Sequence, residues 1–154
     1  ADHMLNGNVL IGGEESGGMS FQGHIPEGDG ILMGLLLVEI VAESGKPLSE
    51  LVADLLEEFG PAFYARRDQR LSQPVAKQKM VDRLINDAPA EIGGEKVSEI
   101  STRDGVKYIL SDNSWLLIRV SGTEPVLRVY AEGRSSEMVQ ALLAYGEQVA
   151  NSAI

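Results

Sequence analysis

The chain has 154 residues, a formal net charge of −10 and no cysteine, with 44% hydrophobic and 23% charged residues. This composition is typical of a globular protein with one ordinary domain, or with a small domain and part of another, and it excludes disulfides and thiolate metal sites. The charge disfavours nucleic acid and anionic membranes as partners, and no apolar run is long enough to span a bilayer. It does not disfavour a small phosphorylated ligand, because distant charges are screened and local arginines decide such binding. We expect a cytoplasmic protein without a signal peptide.

The N-terminal residues predict one short strand and two helices. Residues 9–11 form an apolar strand that runs into the glycine-rich loop 12–18. Asp29 is placed to cap a helix over residues 30–44, which Gly45 to Pro47 would end. A second, amphipathic helix runs from Ser49 to Gly60-Pro61.

The first of these helices is too apolar for the segments around it. All of residues 31–42 except Gly34 and Glu39 are apolar, which is typical of a helix buried nearly all round. One strand and two helices are too little to bury it. We therefore predict that residues 1–60 are the tail of a larger α/β domain, with a domain boundary near Gly60-Pro61.

Beyond this boundary the pattern indicates an antiparallel sheet with two helices. The hairpin signal Arg103-Asp104-Gly105 lies between two of the expected strands, and residues 111–114 predict a second turn. Pro74 suits the first position of one helix, and Ser135 suits the cap of the other. The expected strands are residues 63–67, 97–102, 106–110, 115–120 and 126–131. The expected apolar helix faces are Met80, Val81, Leu84 and Ile85, and then Met138, Leu142, Tyr145 and Val149.

The strongest candidate binding site is the loop Arg119 to Pro125, with the sequence RVSGTEP, together with Arg128 on the next strand. The hydroxyls of Ser121 and Thr123 and the backbone at Gly122 can donate several hydrogen bonds into one concavity, which suits a phosphate. Arg119 adds a charge-assisted clamp. On composition alone, an ordinary Ser-Gly-Thr turn explains the pattern equally well.

The second candidate is the loop GGEESGG over residues 12–18. A carboxylate and a hydroxyl on such a loop can hold vicinal sugar hydroxyls. The loop lacks the Gly-Lys-Ser/Thr ending of a nucleotide P-loop, and its adjacent carboxylates would repel a pyrophosphate. Composition alone favours a solvated acidic turn.

Taken together, GGEESGG, GHIPEGDGI and DGVKYIL…WLLIRVSGTEPVLRVYAEG resemble the C-terminal third of the α-D-phosphohexomutases, the phosphoglucomutase and phosphomannomutase family. The resemblance implies that residues 1–60 end the third, α/β domain, which carries the sugar-recognition loop. It implies that residues 61–154 are the fourth domain, a small α+β domain of the TATA-binding-protein type with an antiparallel sheet and two helices. In this family the reaction interconverts hexose 1- and 6-phosphates through a bisphosphate such as glucose 1,6-bisphosphate.

The resemblance also assigns residues to the ligand. Glu14 and Ser16 match the positions that hold the sugar's 3- and 4-hydroxyls. Arg119, Ser121, Gly122 and Thr123 match the loop that holds the phosphate that is not transferred. Arg128, on the adjoining strand, is a weaker candidate.

One position departs from the family pattern. Several relatives end the sugar loop with histidine, where this sequence has Gly18. His24 follows and is a candidate to supply a ring to the cleft. The alternative is that His24 is an ordinary turn residue.

The family's phosphoserine loop and its Mg²⁺ loop have no counterpart among these residues. Asp29 is a poor substitute, because one carboxylate between glycines offers too few Mg²⁺ ligands. The resemblance therefore implies a longer parent enzyme whose missing N-terminal domains hold the nucleophile and the Mg²⁺, with this chain inactive alone. The uncovered apolar helix could dock on residues 61–154, pair with a second copy or stay loosely ordered, and we favour self-association. Glucose is the favoured hexose, because phosphoglucosamine mutases more often carry glutamine after the first glutamate of the sugar loop. The alternatives are a stand-alone, non-catalytic phosphosugar-binding module and a structural domain that binds a basic partner.

Overall fold

A computed structural model describes residues 2–14, 17–25, 27–122 and 124–152. The chain divides into two compact units, Ala1–Leu55 and Leu56–Ile154. In the described part of the chain, no helix combines the length and the apolar character that crossing a membrane requires.

The described residues up to Phe59 form three helices and a two-stranded ribbon, and the third helix crosses the division between the units. The strands pair antiparallel, with Ile11 opposite Phe21 and Gly13 opposite Met19. The predicted strand at residues 9–11 is therefore displaced toward the glycines, because the partner strand lies opposite residues 11–13. The elements are α1 (Asp2–Asn6), β1 (Ile11–Gly13), β2 (Met19–Phe21), α2 (Gly30–Ser44) and α3 (Leu48–Phe59); α1 and β2 were not predicted.

Both predicted ends of α2 are confirmed. The Asp29 carboxylate accepts a hydrogen bond from the backbone N–H of Leu32 at 3.0 Å, and Gly45 ends the helix in the left-handed conformation. The prediction that residues 1–60 offer too little structure to bury this apolar helix is confirmed. Among its residues only Met33 is buried, because a two-stranded ribbon and two other helices offer too little apolar surface to cover it.

The C-terminal unit is an antiparallel sheet with two helices, as predicted. The strand order is β3-β8-β7-β6-β5-β4, and every neighbouring pair is antiparallel. Strands β3 and β8 are longer than expected, and the two-residue β4 was not predicted. The elements are β3 (Phe63–Arg70), α4 (Lys77–Asn86), β4 (Glu91–Ile92), β5 (Glu95–Ser101), β6 (Val106–Leu110), β7 (Trp115–Val120), β8 (Val126–Gly133) and α5 (Ser136–Ser152).

The core of this unit lies between one face of the sheet and the two helices. On β8, Leu127, Val129 and Ala131 are fully buried, and the residues between them point to the opposite face. Tyr108 of β6 is also fully buried, and its hydroxyl donates to the Leu84 carbonyl of α4 at 2.7 Å. Burial raises the pKa of the Tyr108 phenol. We call the face of the sheet that is turned away from α4 and α5 the second face.

The two helices begin differently from each other. The prediction for α5 is confirmed, since the Ser135 hydroxyl caps it by accepting from the backbone N–H of Met138 at 3.1 Å. The predicted start of α4 at Pro74 is wrong. Ala76 is still extended, and the helix starts at Lys77. Pro74 and Val75 instead line a cavity beside the loop that follows β7.

Candidate phosphate and sugar sites

The predicted phosphate loop connects β7 to β8 and is tied down at both ends. The backbone N–H of Ser121 donates to the Val126 carbonyl at 2.9 Å, and Leu71 donates to the Pro125 carbonyl at 2.8 Å. These bonds fix where the loop leaves and rejoins the sheet. Thr123, one of the predicted ligands, lies outside the described residues.

Two arginines stand side by side on the second face, at the end of the sheet that carries this loop. Arg119 of β7 lies directly opposite Arg128 of β8. Like charges in such a pair repel each other, so the arrangement favours an anion close by. Within the described part of the chain no hydrogen-bond acceptor meets the buried Nε of Arg128. A buried donor in this state is costly unless a ligand or water satisfies it.

Carboxylates flank the arginine pair on both sides. Asp104, in the β5–β6 hairpin, accepts from Nη1 of Arg119 at 2.5 Å. Asp68 of β3 lies opposite Arg128 and accepts two hydrogen bonds from Arg66, each of 2.8 Å. The hydrogen bonds from Arg66 lower the pKa of Asp68, against the effect of burial, and the charges of Arg66 and Arg128 lower it further. Asp68 is therefore anionic at neutral pH.

Tyr130 is buried next to the arginines. The guanidinium carbons of Arg66 and Arg119 lie 5.1 and 5.9 Å from the centre of its ring. Cations at this distance are attracted by the ring face, which helps to orient both side chains. The roles of Tyr130, Asp68 and Asp104 were not predicted. Alternation along β8 could have placed Tyr130 on the same face as Arg128, but no local signal links the two aspartates to the arginines.

Close packing of a glycine brings Asp104 to Arg119. A Cβ atom built on Gly105 would lie 2.4 Å from the carbonyl oxygen of Ile118 and 3.1 Å from the Cα of Arg119. Only a residue without a side chain allows the hairpin to approach β7 this closely. Gly105 also has φ +89, which glycine adopts without strain.

A cavity of about 290 Å³ opens beside the phosphate loop. Its walls include Ser121, Gly122 and Glu124 from the loop and Lys77 from the start of α4. The structure thus brings four predicted ligands, Arg119, Ser121, Gly122 and Arg128, to one end of the sheet, and adds a lysine that was not predicted.

The predicted sugar loop joins β1 to β2 in the N-terminal unit. The backbone N–H of Glu14 donates to the Gly18 carbonyl at 2.8 Å, and that of Gly17 donates to the Glu14 carbonyl at 3.0 Å, so the two ends of the loop are held together. The Glu14 side chain is exposed. A Cβ atom built on Gly18 would lie 3.6 Å from Oε2 of Glu14, so a larger residue at position 18 would contact the Glu14 carboxylate. Ser16 lies outside the described residues.

His24 makes the contacts of a turn residue. Its ring stacks on Phe21, with the ring centres 5.5 Å apart, and its Nε2 lies 3.3 Å from the Asp29 carboxylate. The hydrogen bond from the Leu32 backbone is the largest influence lowering the pKa of Asp29, and His24 lowers it further. These contacts fit the alternative given for His24, and the prediction that it supplies a ring to the cleft stays a prediction.

No group of three or more metal-binding side chains comes together in the described part of the chain. The Asp29 carboxylate instead caps α2 and lies beside the ring of His24.

Two family models match the chain. The first, described as phosphoglucomutase/phosphomannomutase alpha/beta/alpha domain III, matches residues 1–59. The second, described as the C-terminal domain of phosphoglucomutase/phosphomannomutase, matches residues 69–145.

Relatives with curated names support these matches. A phosphoglucomutase/phosphomannomutase from Thermococcus kodakarensis is 35% identical over 98% of this chain and 30% of its own length. A phosphoglucosamine mutase from Exiguobacterium sibiricum is 33% identical over 97% of this chain and 28% of its own length. The chain therefore spans less than a third of the relatives it matches. A crystal structure of a phosphoglucomutase/phosphomannomutase family protein from Burkholderia thailandensis has the same fold, with a TM-score of 0.68, 24% identity, and coverage of 97% of this chain and 30% of that one.

Proposed function

Because this chain belongs to the phosphoglucomutase/phosphomannomutase family, we propose that it supplies the sugar- and phosphate-binding loops of a longer mutase that interconverts hexose 1- and 6-phosphates. The observation that carries the proposal is the pair Arg119 and Arg128, adjacent on the second face where the Ser121 to Pro125 loop leaves the sheet. The pair and the loop together make a cradle for the phosphate that stays on the sugar while the other is transferred.

The arginine pair supplies enough attraction for such a phosphate. A guanidinium about 4 Å from one negative charge gains about 4 kcal/mol at an effective dielectric of 20. Asp68 and Asp104 neutralise part of the arginine charge in the free protein. A dianionic phosphate brings more charge than either carboxylate and accepts hydrogen bonds on several oxygens, so it competes well for the same donors.

The sugar is held by the other loop in this proposal. Glu14 is exposed at the start of the β1–β2 loop, and its carboxylate binds the 3- and 4-hydroxyls together with Ser16. The hexose is glucose, since the GEESGG loop has glutamate at the position where glutamine is more common in phosphoglucosamine mutases.

The chemical step is assigned to parts of the parent protein beyond this chain. There a serine would carry the phosphoryl group, and a bound Mg²⁺ would supply charge neutralisation for its transfer. The chain binds and orients the substrate, and one phosphate cradle accepts either end of glucose 1,6-bisphosphate between the two half-reactions. The isolated chain therefore has no mutase activity, even with Mg²⁺ and glucose 1,6-bisphosphate added. Turnover that survives removal of contaminating enzyme would contradict this assignment.

An NMR titration of the 154-residue chain with glucose 6-phosphate tests the phosphate site. We expect the amide signal of Gly122 and those of its neighbours to shift, and Arg119→Ala to abolish the shifts. Arg134→Ala is the matched control, because Arg134 follows β8 at the opposite end of the sheet. Shifts confined to other regions, or equal losses in the two variants, would refute the site.

A further inference from the structure

We propose that Lys77 is a further phosphate-binding residue and that Asp104 is the counter-ion that phosphate displaces from both Lys77 and Arg119. The proposal rests on the phosphate-binding function proposed above. Lys77 lines the same cavity of about 290 Å³ as Ser121 and Gly122. Its Nζ lies 3.9 Å from Oδ1 of Asp104, whereas Nη1 of Arg119 lies 2.5 Å from Oδ2 of the same carboxylate.

The two cations come from opposite sides of the sheet. Arg119 points to the second face, and Lys77 starts α4, which packs on the core side through buried residues such as Met80. The hairpin between β5 and β6 carries Asp104 around the end of the sheet to meet both. One carboxylate therefore marks the point where both positive charges converge.

A phosphate fits this point at least as well as the carboxylate does. Two cations that reach the two oxygens of one carboxylate are spaced to reach two oxygens of one phosphate. Phosphate adds a second negative charge and further oxygens for the Ser121–Gly122 backbone. The contacts that it replaces are weak, because the Lys77, Asp104 and Arg119 side chains are 64%, 58% and 32% exposed.

A lysine suits the need to accept two different phosphates. Arginine presents a rigid planar fork, whereas lysine is a compact charge on a long flexible stem. Arg119 and the loop fix the phosphate group, and Lys77 follows whichever oxygen the 1- or the 6-phosphate presents. The lysine thus allows the same site to bind either phosphate group.

The test is a phosphate titration of four variants of the 154-residue chain at constant ionic strength, followed by NMR at Gly122. Lys77→Gln should raise the Kd for inorganic phosphate about three- to tenfold. Lys79→Gln is the matched control, since it removes the same charge from the same helix at a residue that lines another cavity; it should raise the Kd less than about twofold. Asp104→Asn should lower the Kd about two- to fivefold by removing the competing anion. Arg119→Ala should abolish binding.

The possible results separate this inference from the function on which it rests. Equal effects of Lys77→Gln and Lys79→Gln, with binding still lost in Arg119→Ala, would refute the role of Lys77 and leave the phosphate site standing. Weaker binding in Asp104→Asn would refute displacement. No shift at Gly122 in the unaltered chain would overturn both the inference and the proposed function.

Discussion

Replacing Gly105 by alanine tests whether close packing of the hairpin against β7 holds Asp104 beside Arg119. The change introduces two separate problems. The backbone has φ +89, which disfavours any L side chain, and the new Cβ would lie 2.4 Å from the carbonyl oxygen of Ile118. The second problem cannot be relieved by rotating a side chain, because the atom it meets belongs to the backbone of a central strand.

Substitution of Gly94 by alanine introduces the first of these problems without the second. Gly94 lies in the β4–β5 turn with φ +87, and a Cβ built there meets nothing within 4 Å. Gly94→Ala should therefore cost only the conformational strain, about 1–2 kcal/mol. Gly105→Ala should cost this strain and about 1–3 kcal/mol more for the overlap with β7. The sum is a large fraction of the free energy of unfolding of a small domain, about 5–15 kcal/mol.

Urea unfolding followed by tryptophan fluorescence measures both variants. The chain has one tryptophan, Trp115 at the start of β7, so the signal reports on the C-terminal unit. We expect a lower transition midpoint for Gly105→Ala than for Gly94→Ala, with similar slopes. Because the hairpin that carries Asp104 must move away from β7, Gly105→Ala should also lower the Kd for phosphate measured at Gly122, as expected for Asp104→Asn. Equal destabilisation by the two substitutions would refute the packing argument.

Three further predictions concern other parts of the chain. In the full-length parent, Glu14→Ala should lower kcat/KM about tenfold to 150-fold without changing Tm, since it removes a charged hydrogen bond to a sugar hydroxyl, and unchanged kinetics would make Glu14 a solvated loop residue. Tyr108→Phe should lower the free energy of unfolding by about 1–3 kcal/mol, measured in urea, because the buried Leu84 carbonyl loses its donor; no loss would mean that water replaces the hydroxyl. The capping carboxylate of Asp29 has a lowered pKa, so its stabilisation of α2 is complete above about pH 4 and is lost as the pH falls through the lower, folded-state pKa. Far-UV circular dichroism should show a loss of helix content at acid pH in the unaltered chain, and Asp29→Asn should not show it. Identical dependence of helix content on pH in the two proteins would refute the contribution of the Asp29 cap.

The C-terminal sheet was predictable because its strands alternate strongly. On β8 the apolar Leu127 and Val129 flank the charged Arg128, and the structure buries the first two and turns the third to the second face. The bounds of β1 were not predictable, because the glycines at residues 12 and 13 carry no side-chain pattern. Only pairing with β2 shows that the strand covers residues 11–13. A strand as short as Glu91–Ile92 has too few residues to alternate.

The candidate site was predictable only as far as it is local in sequence. The loop from Arg119 to Pro125 shows its donors within seven consecutive residues. Lys77 and Asp104 join it through the packing of a helix and a hairpin from elsewhere in the chain, and such contacts leave no periodic signal. The false start of α4 at Pro74 has the same origin, because Ala76 stays extended and Pro74 and Val75 line the cavity.

The apolar surface of α2 leads to the last prediction, which is that the isolated chain self-associates. Ile31, Leu35 and Val38 are 82%, 63% and 66% exposed, and their spacing places them on one stripe of the helix.

Burying each of these side chains gains about 1.5–3 kcal/mol, so three on each of two copies gain about 9–18 kcal/mol. The middle of this range exceeds the middle of the cost of association, about 4–15 kcal/mol, by about 4 kcal/mol, so we expect a dissociation constant on the order of millimolar. Sedimentation equilibrium should show a weak dimer or a higher oligomer. Val38→Glu should dissociate it, because the stripe would then bury an unpaired charge. Ser44→Glu is the matched control, since it adds the same charge to the opposite side of α2 and should leave the association intact. A strict monomer at high concentration, or equal effects of the two substitutions, would show that this stripe is not an interface between copies of the chain.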